Sequence, residues 1–493
     1  MEIRTGFYYS LTVVFGTPFV YNRLIMKGVH HMLQNRIKTL LAREPGNDIV
    51  TAEGWVRTKR DSKNVCFLEV NDGSCLKGLQ VVIDRGALNN ENLLSSITTG
   101  SSVVCRGKIV KSMGGSQPVE MQSSDVTLVG PCPNDYPLQK KFQTLEYLRE
   151  IAHLRSRTNT IGAVARVRNT LAYATHRFFQ QNGFVYVNTP IISASDAEGA
   201  GEQFTVTTLD LKNIPKTEDG NVDYTKDFFG KMAKLTVSGQ LEGETYATSM
   251  KNIYTFGPTF RSENSVTKRH LAEFWMIEPE MAFCDIEGDM DTAEAYLKFL
   301  FRTALEENAE DLAFFEKRVE PDITRTLTHV VETPFAHTTY TDAIKELEPH
   351  NSEFEFPVHW GSDIQTEHER FLTEKIYGSP VIVTDYPKEI KSFYMKQNDD
   401  GKTVRGMDVL VPRLGEIIGG SEREIDYDKL VARMNELHMK LDEYRWYLDL
   451  RKYGTVPHSG FGLGFERAVM YVTGMQNIRD VIPYPRAVGQ ADF

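Results

Sequence analysis

Cysteine is scarce in this chain. Its 493 residues include five, Cys66, Cys75, Cys105, Cys132 and Cys284, with no Cys-x-x-Cys pair among them. An odd count without close spacing argues against a disulfide framework or a structural zinc site, and points to a reducing compartment, the cytoplasm. Long apolar runs are also missing, and nothing reaches the roughly 18 residues that a membrane-spanning helix needs. Positive charge is in deficit. With 56 Lys and Arg against 67 Asp and Glu, the net charge is −11. No global field draws such a chain to nucleic acid or an anionic bilayer, so any polyanion site must be a local patch. There is no internal repeat, low-complexity tract or Gly-x-Gly-x-x-Gly dinucleotide fingerprint. His368 and Glu369 stand in Glu-His-Glu-Arg rather than the His-Glu-x-x-His of a zinc protease. What remains is an ordinary globular composition, 41% hydrophobic and 25% charged, long enough for two or three domains.

Residues 1–31 read as an N-terminal extension, with Met26 and Met32 as alternative starts. Across 32–130, short strands at 49–57, 65–70, 78–83, 102–111 and 119–129 are separated by turns such as Asn71-Asp72-Gly73-Ser74. Five short strands in about eighty residues suggest a small β-barrel of the OB type. Between 54 and 64 lie Arg57, Lys59, Arg60 and Lys63 against Asp61 alone. A basic stripe beside aromatic residues suits single-stranded nucleic acid, although a solvated turn would look the same. A proline-rich linker, 131–157, leads into a larger region, 158–493. That region opens on an amphipathic helix ending at Asn182-Gly183, where glycine is placed as a stop. Irregularly spaced strands predict an α+β fold on an antiparallel sheet. Stretches 209–234 and 294–347 read as insertions, the first turn-rich and the second helical.

Chemistry concentrates in three places. Phe260 to Glu280 reads as strand, charged loop and strand, and carries Arg261, Glu263, Lys268, Arg269, His270 and Phe274. Arginine neutralises phosphate with a planar fork of donors, a carboxylate accepts from an exocyclic amine, and an aromatic ring stacks on a purine. The hairpin is therefore suited to a nucleoside triphosphate. Gly460-Phe-Gly-Leu-Gly464 then runs into Phe465-Glu466-Arg467 at a helix start. Finally, Asp408 and Glu416, at the ends of neighbouring strands, have the hard oxygen donors that bind Mg²⁺ together with phosphate. Gly419-Gly420 and Arg423 follow them.

The order Phe-Arg-x-Glu, loop, Arg-His-x-x-Glu-Phe resembles the second signature motif of the class II aminoacyl-tRNA synthetases. The glycine-rich turn with Glu466-Arg467 resembles the third. The helix running to Phe184-Val-Tyr-Val-Asn-Thr-Pro190 resembles the first, whose proline lies at a dimer interface. From about Asp48 onward the chain is similar to the asparagine branch of class IIb in its bacterial form. The resemblance implies an N-terminal OB-fold anticodon-binding barrel followed by a class II catalytic domain, an antiparallel sheet with flanking helices. It implies ATP as substrate, Mg²⁺, L-asparagine, tRNA(Asn) and a homodimer.

The same resemblance assigns residues. Arg261 and Arg467 would be catalytic, gripping phosphates. Glu263 would read adenine, Phe274 would stack on it, and His270 would reach the terminal phosphates. Asp408 and Glu416 would hold Mg²⁺. Glu198, Ser238, Gln240, Gly243, Glu244 and Arg423 would form the amino-acid pocket. Phe67 and Gln80, with Arg57 and Arg60, would meet the anticodon. Aspartate enzymes carry Ser-Pro-Gln-Leu-(Tyr/Phe)-Lys, whereas this chain has Ser238-Gly-Gln-Leu-Glu-Gly243-Glu244. Loss of the lysine and gain of acidic neighbours favours a neutral amide over a carboxylate. Two alternatives stay open at this point, an aspartate enzyme that charges one or both tRNAs and a nucleic-acid-binding relative without ligase activity.

Overall fold

The computed structural model describes residues 33–493 apart from 88–90, 115–116, 140, 142, 198–201 and 266. The expected extension at 1–31 and the pocket residue Glu198 lie outside the described residues. The chain divides into two compact units, the first ending at residue 142 and the second spanning Gln143–Phe493.

In the first unit β1 (Ile49–Asp61), β2 (Val65–Asn71), β3 (Leu79–Asp84), β4 (Ser102–Lys111) and β5 (Val119–Gly130) close a barrel in the order β1-β2-β3-β5-β4. Alternation drives it: along β4, Val103, Cys105, Gly107 and Ile109 point inward while Arg106 and Lys108 face solvent. Cys66 and Cys105 are fully buried in the barrel core beside Leu68, Val81 and Met121. Two of the five cysteines are therefore packing residues, and burial pushes their thiols up to about 11 and about 12.

In the second unit two short helical turns, Leu145–Glu150 and Ala152–Arg155, lead into a long helix, α1 (Asn159–Gln181). Thr158 caps it by accepting from the Ile161 N–H, and Gly183 takes the left-handed conformation (φ +80°) just past its end. Val164, Val167, Leu171 and Phe178 recur at helical spacing on its buried face. Short strands β6 (Val185–Tyr186), β7 (Ile192–Ser193), β8 (Thr205–Val206) and β9 (Ala233–Leu235) follow, then helix α2 (Gln240–Met250). The hairpin is β10 (Asn252–Phe260) and β11 (Glu273–Ala282), paired antiparallel from Asn252↔Met281 to Phe260↔Glu273. Just past the last pair, the Arg261 N–H donates to the Ala272 carbonyl at 3.0 Å.

Three helices come next, α3 (Ile286–Glu307), α4 (Ala309–Arg318) and α5 (Ile323–Glu332). They precede β12 (Ala336–Thr339), β13 (Val381–Pro387), β14 (Thr403–Val411), β15 (Gly415–Glu422), β16 (His458–Gly464) and helix α6 (Phe465–Thr473). The eight-stranded sheet runs β12-β13-β14-β15-β16-β11-β10-β6. Its interior is antiparallel as expected, and only the edge pairs, β12 with β13 and β10 with β6, are parallel. β9 pairs with both β7 and β8 in a separate small sheet, so the 209–234 stretch is the long connection between β8 and β9.

Much of the 294–347 stretch, expected as a helical insertion, packs into the core. α3 begins at Ile286 and buries Met290, Ala293, Tyr296, Leu297, Leu300 and Phe301 in the same cluster as α1 and the strand residues Ile277, Ile418 and Leu463. Its apolar stripe supplies the layer that covers the sheet. Burial at that scale, about 1.5–3 kcal/mol per large apolar side chain, makes it core.

Candidate active site

The open face of the sheet carries a cleft lined by Arg261, Glu263, His270, Phe274, Glu416 and Arg467. These six residues span more than 200 positions in sequence, and the pairing of β15, β16, β11 and β10 brings them together. The Arg261 guanidinium lies over the Phe274 ring, 5.5 Å from its centroid, at the mouth of the loop between β10 and β11. His270 sits below its ordinary pKa, first because it is buried and then because Arg467, Arg261 and Arg269 surround it, against the opposing pull of Glu263. A neutral imidazole among three guanidinium groups is a place for an anion.

Arg467 donates to the Glu416 carboxylate at 3.3 Å. The residue before it, Glu466, is buried. One of its oxygens accepts from the Trp275 N–H of β11 at 3.0 Å, and the other meets Arg168 of α1 at 2.7 Å. Asp408 and Glu416 lie on adjacent strands, Asp408 in the middle of β14 rather than at its end. The gap between them is kept by Gly419, where a Cβ would stand 3.4 Å from an oxygen of each. Gly420 has a different part from Gly419. A Cβ there would meet Met407, Phe461 and the Gly460 carbonyl, so it serves strand packing.

Asp408 accepts from Lys391 at 2.7 Å, and that ammonium lies 3.9 Å from the Tyr386 ring centroid. A third carboxylate, Glu369, stands behind the pair and accepts from the Glu416 N–H at 3.2 Å. Burial, with Glu416 and Asp408 adding to it, lifts Glu369 to about 8. Among the described residues no three His, Cys, Asp or Glu side chains converge as a metal cage. Two hard carboxylates across an open gap fit a Mg²⁺ ion that is shared with phosphate oxygens.

The amino-acid pocket is built on buried acids. Glu280 of β11, 1% exposed, takes a two-pronged grip from the guanidinium of Arg423, 3% exposed, through Nε at 3.2 Å and a second, shorter contact. Arg423 also donates to Ser421 at 2.8 Å. Room for the Glu280 carboxylate comes from Gly460, its partner across the β11–β16 register, where a Cβ would lie 2.6 Å from it. Burial raises Glu280 and Arg423 opposes the rise. A Cβ on Gly243 would point toward Ile253, Glu280 and Thr255, so this glycine leaves space beside the same carboxylate.

Glu244 departs from its expected part. Its two oxygens accept from Gln240, Tyr447, Arg451 and His458, at 3.1, 2.9, 2.9 and 2.9 Å. With all four acceptor positions filled, it braces α2 against distant segments and has nothing left for a ligand. Burial alone would raise its carboxyl, but Arg451 and His458 hold it well below the usual range. A second buried acid, Glu280, is one that local sequence patterns do not reveal. Glu278 went unnoticed for the same reason. It anchors Ser238, the Gly239 N–H at 3.0 Å and Thr255 at 2.9 Å.

In the barrel, Phe67, Arg60 and Gln80 line one surface depression, and Arg57 is not among its lining residues. Arg60 lies 5.6 Å from the Phe67 ring centroid and donates to the Gln80 carbonyl at 3.2 Å, while Gln80 donates to Glu120 at 2.9 Å. Arg57 instead donates to Asn71 at 3.4 Å. Pro190 is exposed at the sheet edge, near the exposed Val185, Tyr186, Ile191 and Ile192.

A nucleotide cleft and an acid-lined pocket on one antiparallel sheet, with a separate barrel, define a class II tRNA synthetase. The family model "tRNA synthetases class II (D, K and N)" matches residues 144–488, and an "OB-fold nucleic acid binding domain" model matches 50–129. The chain belongs to that class II family. It is 58% identical to the asparagine–tRNA ligase of Treponema denticola over 469 residues, 93% of this chain and 99% of the relative. It is 57% identical to that of Acetivibrio thermocellus over 448 residues, 91% and 96% of the two chains. The asparaginyl-tRNA synthetase from Pyrococcus horikoshii complexed with asparaginyl-adenylate superposes with a TM-score of 0.80 at 30% identity, covering 93% of this chain and 98% of that one. An aspartyl-tRNA synthetase from Entamoeba histolytica shares the fold, TM-score 0.72 at 20% identity, over 93% and 92%.

Proposed function

We infer that this chain ligates L-asparagine to tRNA(Asn) in an ATP-dependent reaction, through an asparaginyl-adenylate, with release of pyrophosphate and AMP. The observation that carries the inference is the Arg423–Glu280 pair facing the space left by Gly243. A side-chain amide presents one acceptor and one pair of donors. Arg423 donates to its carbonyl and Glu280 accepts from its NH₂. An aspartate carboxylate in the same place would put a second negative charge against Glu280.

In the first step the amino-acid carboxylate, already ionised, attacks the α-phosphorus of ATP, and no general base is required. Arg261 neutralises the α-phosphate and aligns the attacking carboxylate. Phe274 stacks on adenine, Glu263 accepts from its amine, and His270 and Arg467 face the departing pyrophosphate. Asp408 and Glu416 would hold Mg²⁺, which supplies charge neutralisation for the phosphates when bound. Gln240, at the start of α2, orients the substrate ammonium. The terminal hydroxyl of tRNA then attacks the mixed anhydride. Phe67, Gln80 and Arg60 give the anticodon a stacking ring with polar and cationic neighbours.

The exposed apolar strip with Pro190 is the face that a second copy would cover. Free cysteines that serve as packing residues fit a cytoplasmic enzyme. Among the described residues no helix is long and apolar enough to cross a membrane.

Amino-acid-dependent exchange between pyrophosphate and ATP tests the reading. Asparagine should drive exchange and then appear on tRNA(Asn). Exchange driven by aspartate in preference to asparagine would overturn it.

A further inference from the structure

Phe228 and Phe229 lie on the surface, 75% and 45% exposed, at the end of the long connection between β8 and β9. Their rings meet edge to face, centroids 4.9 Å apart at 79°. Lys226 and Lys231 flank them, both exposed, and half-buried Lys234 follows on β9. The acid between them, Asp227, is held in a set of hydrogen bonds. Asp227 accepts from Thr207 at 2.6 Å, from the N–H and hydroxyl of Thr208 at 2.9 and 2.8 Å, and from the Phe228 N–H at 2.8 Å. Those bonds pin the backbone at the first ring, and across 226–234 Lys226, Lys231 and Lys234 outnumber Asp227 three to one. In a chain of net charge −11, a fixed pair of exposed rings bordered by cations is a distinct patch.

Its position matters as much as its chemistry. β9 continues directly into Thr236 and Ser238 at the amino-acid pocket, and the Thr236 carbonyl accepts from the Phe260 N–H, one residue before Arg261. Nine residues separate Phe229 from Ser238, which bounds the platform to within about 30 Å of the pocket. Any tRNA that receives the activated amino acid must bring its single-stranded 3′ end to that pocket.

We propose that Phe228 and Phe229, with Lys226 and Lys231, form a stacking platform for the single-stranded acceptor end of the tRNA. This rests on the ligase reading above and adds to it a contact for the second step alone. Rings stack on bases without regard to sequence, and the lysines meet the phosphates between them. The chain as a whole carries a net charge of −11 while this patch has a local excess of cations, so charge favours a polyanion here over an acidic or neutral protein surface.

The Phe228→Ala/Phe229→Ala double variant tests the proposal in the full-length protein. Asparagine-dependent pyrophosphate exchange, which needs no tRNA, should be unchanged. The kcat/KM for aminoacylation of a tRNA(Asn) transcript should fall by about 5- to 100-fold, the effect of losing one stacked base. In Lys226→Gln/Lys231→Gln the slope of log affinity against log salt should flatten by about 1.4, roughly 0.7 for each phosphate left without its lysine. Unchanged aminoacylation would overturn the proposal. So would a parallel fall in exchange, which would put the rings in the adenylation machinery or the fold. Conversion of the double variant to a smaller species in sedimentation would assign the rings to a second copy of the chain. Should the wild type fail to exchange with asparagine, the ligase reading fails, and tRNA affinity of the variants by fluorescence anisotropy still decides the platform.

Discussion

Replacing Glu280 by glutamine changes one charge in the amino-acid pocket and almost nothing else. Glutamine keeps an acceptor for Arg423 and the volume that Gly460 makes available. Glu280 and Arg423 are both essentially inaccessible, so their charges are little screened. Two like charges about 4 Å apart at an effective dielectric near 20 repel by about 4 kcal/mol. An aspartate side chain meeting Glu280 suffers a penalty of that order, equivalent to roughly a thousandfold in kcat/KM. In Glu280→Gln that repulsion disappears, and Arg423, released from its carboxylate, becomes a partner for the aspartate charge. The ratio of kcat/KM for asparagine over aspartate, read by pyrophosphate exchange, should drop by about two to three orders of magnitude. Breaking a buried ion pair also costs about 3–5 kcal/mol of stability, so a thermal melt must accompany the kinetics. A folded Glu280→Gln enzyme whose asparagine-to-aspartate ratio stays within about threefold of the wild type would refute the reasoning.

Other outcomes follow from the same geometry. Arg261→Ala should lower asparagine-dependent exchange by about 10²- to 10³-fold, as loss of a charge-stabilising donor does elsewhere, and full activity in this variant would remove the residue from the chemistry. Glu369 titrates near 8 when folded against 4.5 when free, so the folded state holds its proton longer and stability falls as pH rises from about 4.5 to about 8. Glu369→Gln should therefore melt above the wild type at pH 9, with the difference closing toward pH 5. Superimposable melting curves at both pH values would contradict the assignment. Phe67→Ala should reduce aminoacylation by about 5- to 100-fold while leaving exchange intact, and an equal loss in both assays would move Phe67 out of anticodon binding.

The parts legible in sequence are those whose causes are local. Helix α6 could be bounded to the residue because a glycine-rich turn precedes its apolar stripe and Gly474 ends it in the left-handed conformation. Thr158 and Gly183 marked α1 in the same way. The nucleotide cleft was readable because its residues cluster in three short stretches. The amino-acid pocket was not, since Glu244 is defined by Tyr447, Arg451 and His458 more than 200 positions away. Glu280 acquires its place only through a register that sets it opposite Gly460. A carboxylate in sequence reads as a charge, and in three dimensions Glu244 proved to be a filled acceptor. The 294–347 stretch read as an insertion because its polar face dominates composition, while its buried stripe appears only against α1 and the sheet.

Glu466 is a single side chain tied at once to the hairpin strand, to the long helix α1 and, through the peptide bond, to Arg467. Arg467 is therefore steered from the far side of the core through Glu466 as well as by Glu416 in the cleft. Slackening of α1, even at a position remote from any ligand, tilts Arg467 before it unfolds anything. Core damage in this protein should register first as weakened nucleotide affinity, with melting temperature a later and blunter symptom.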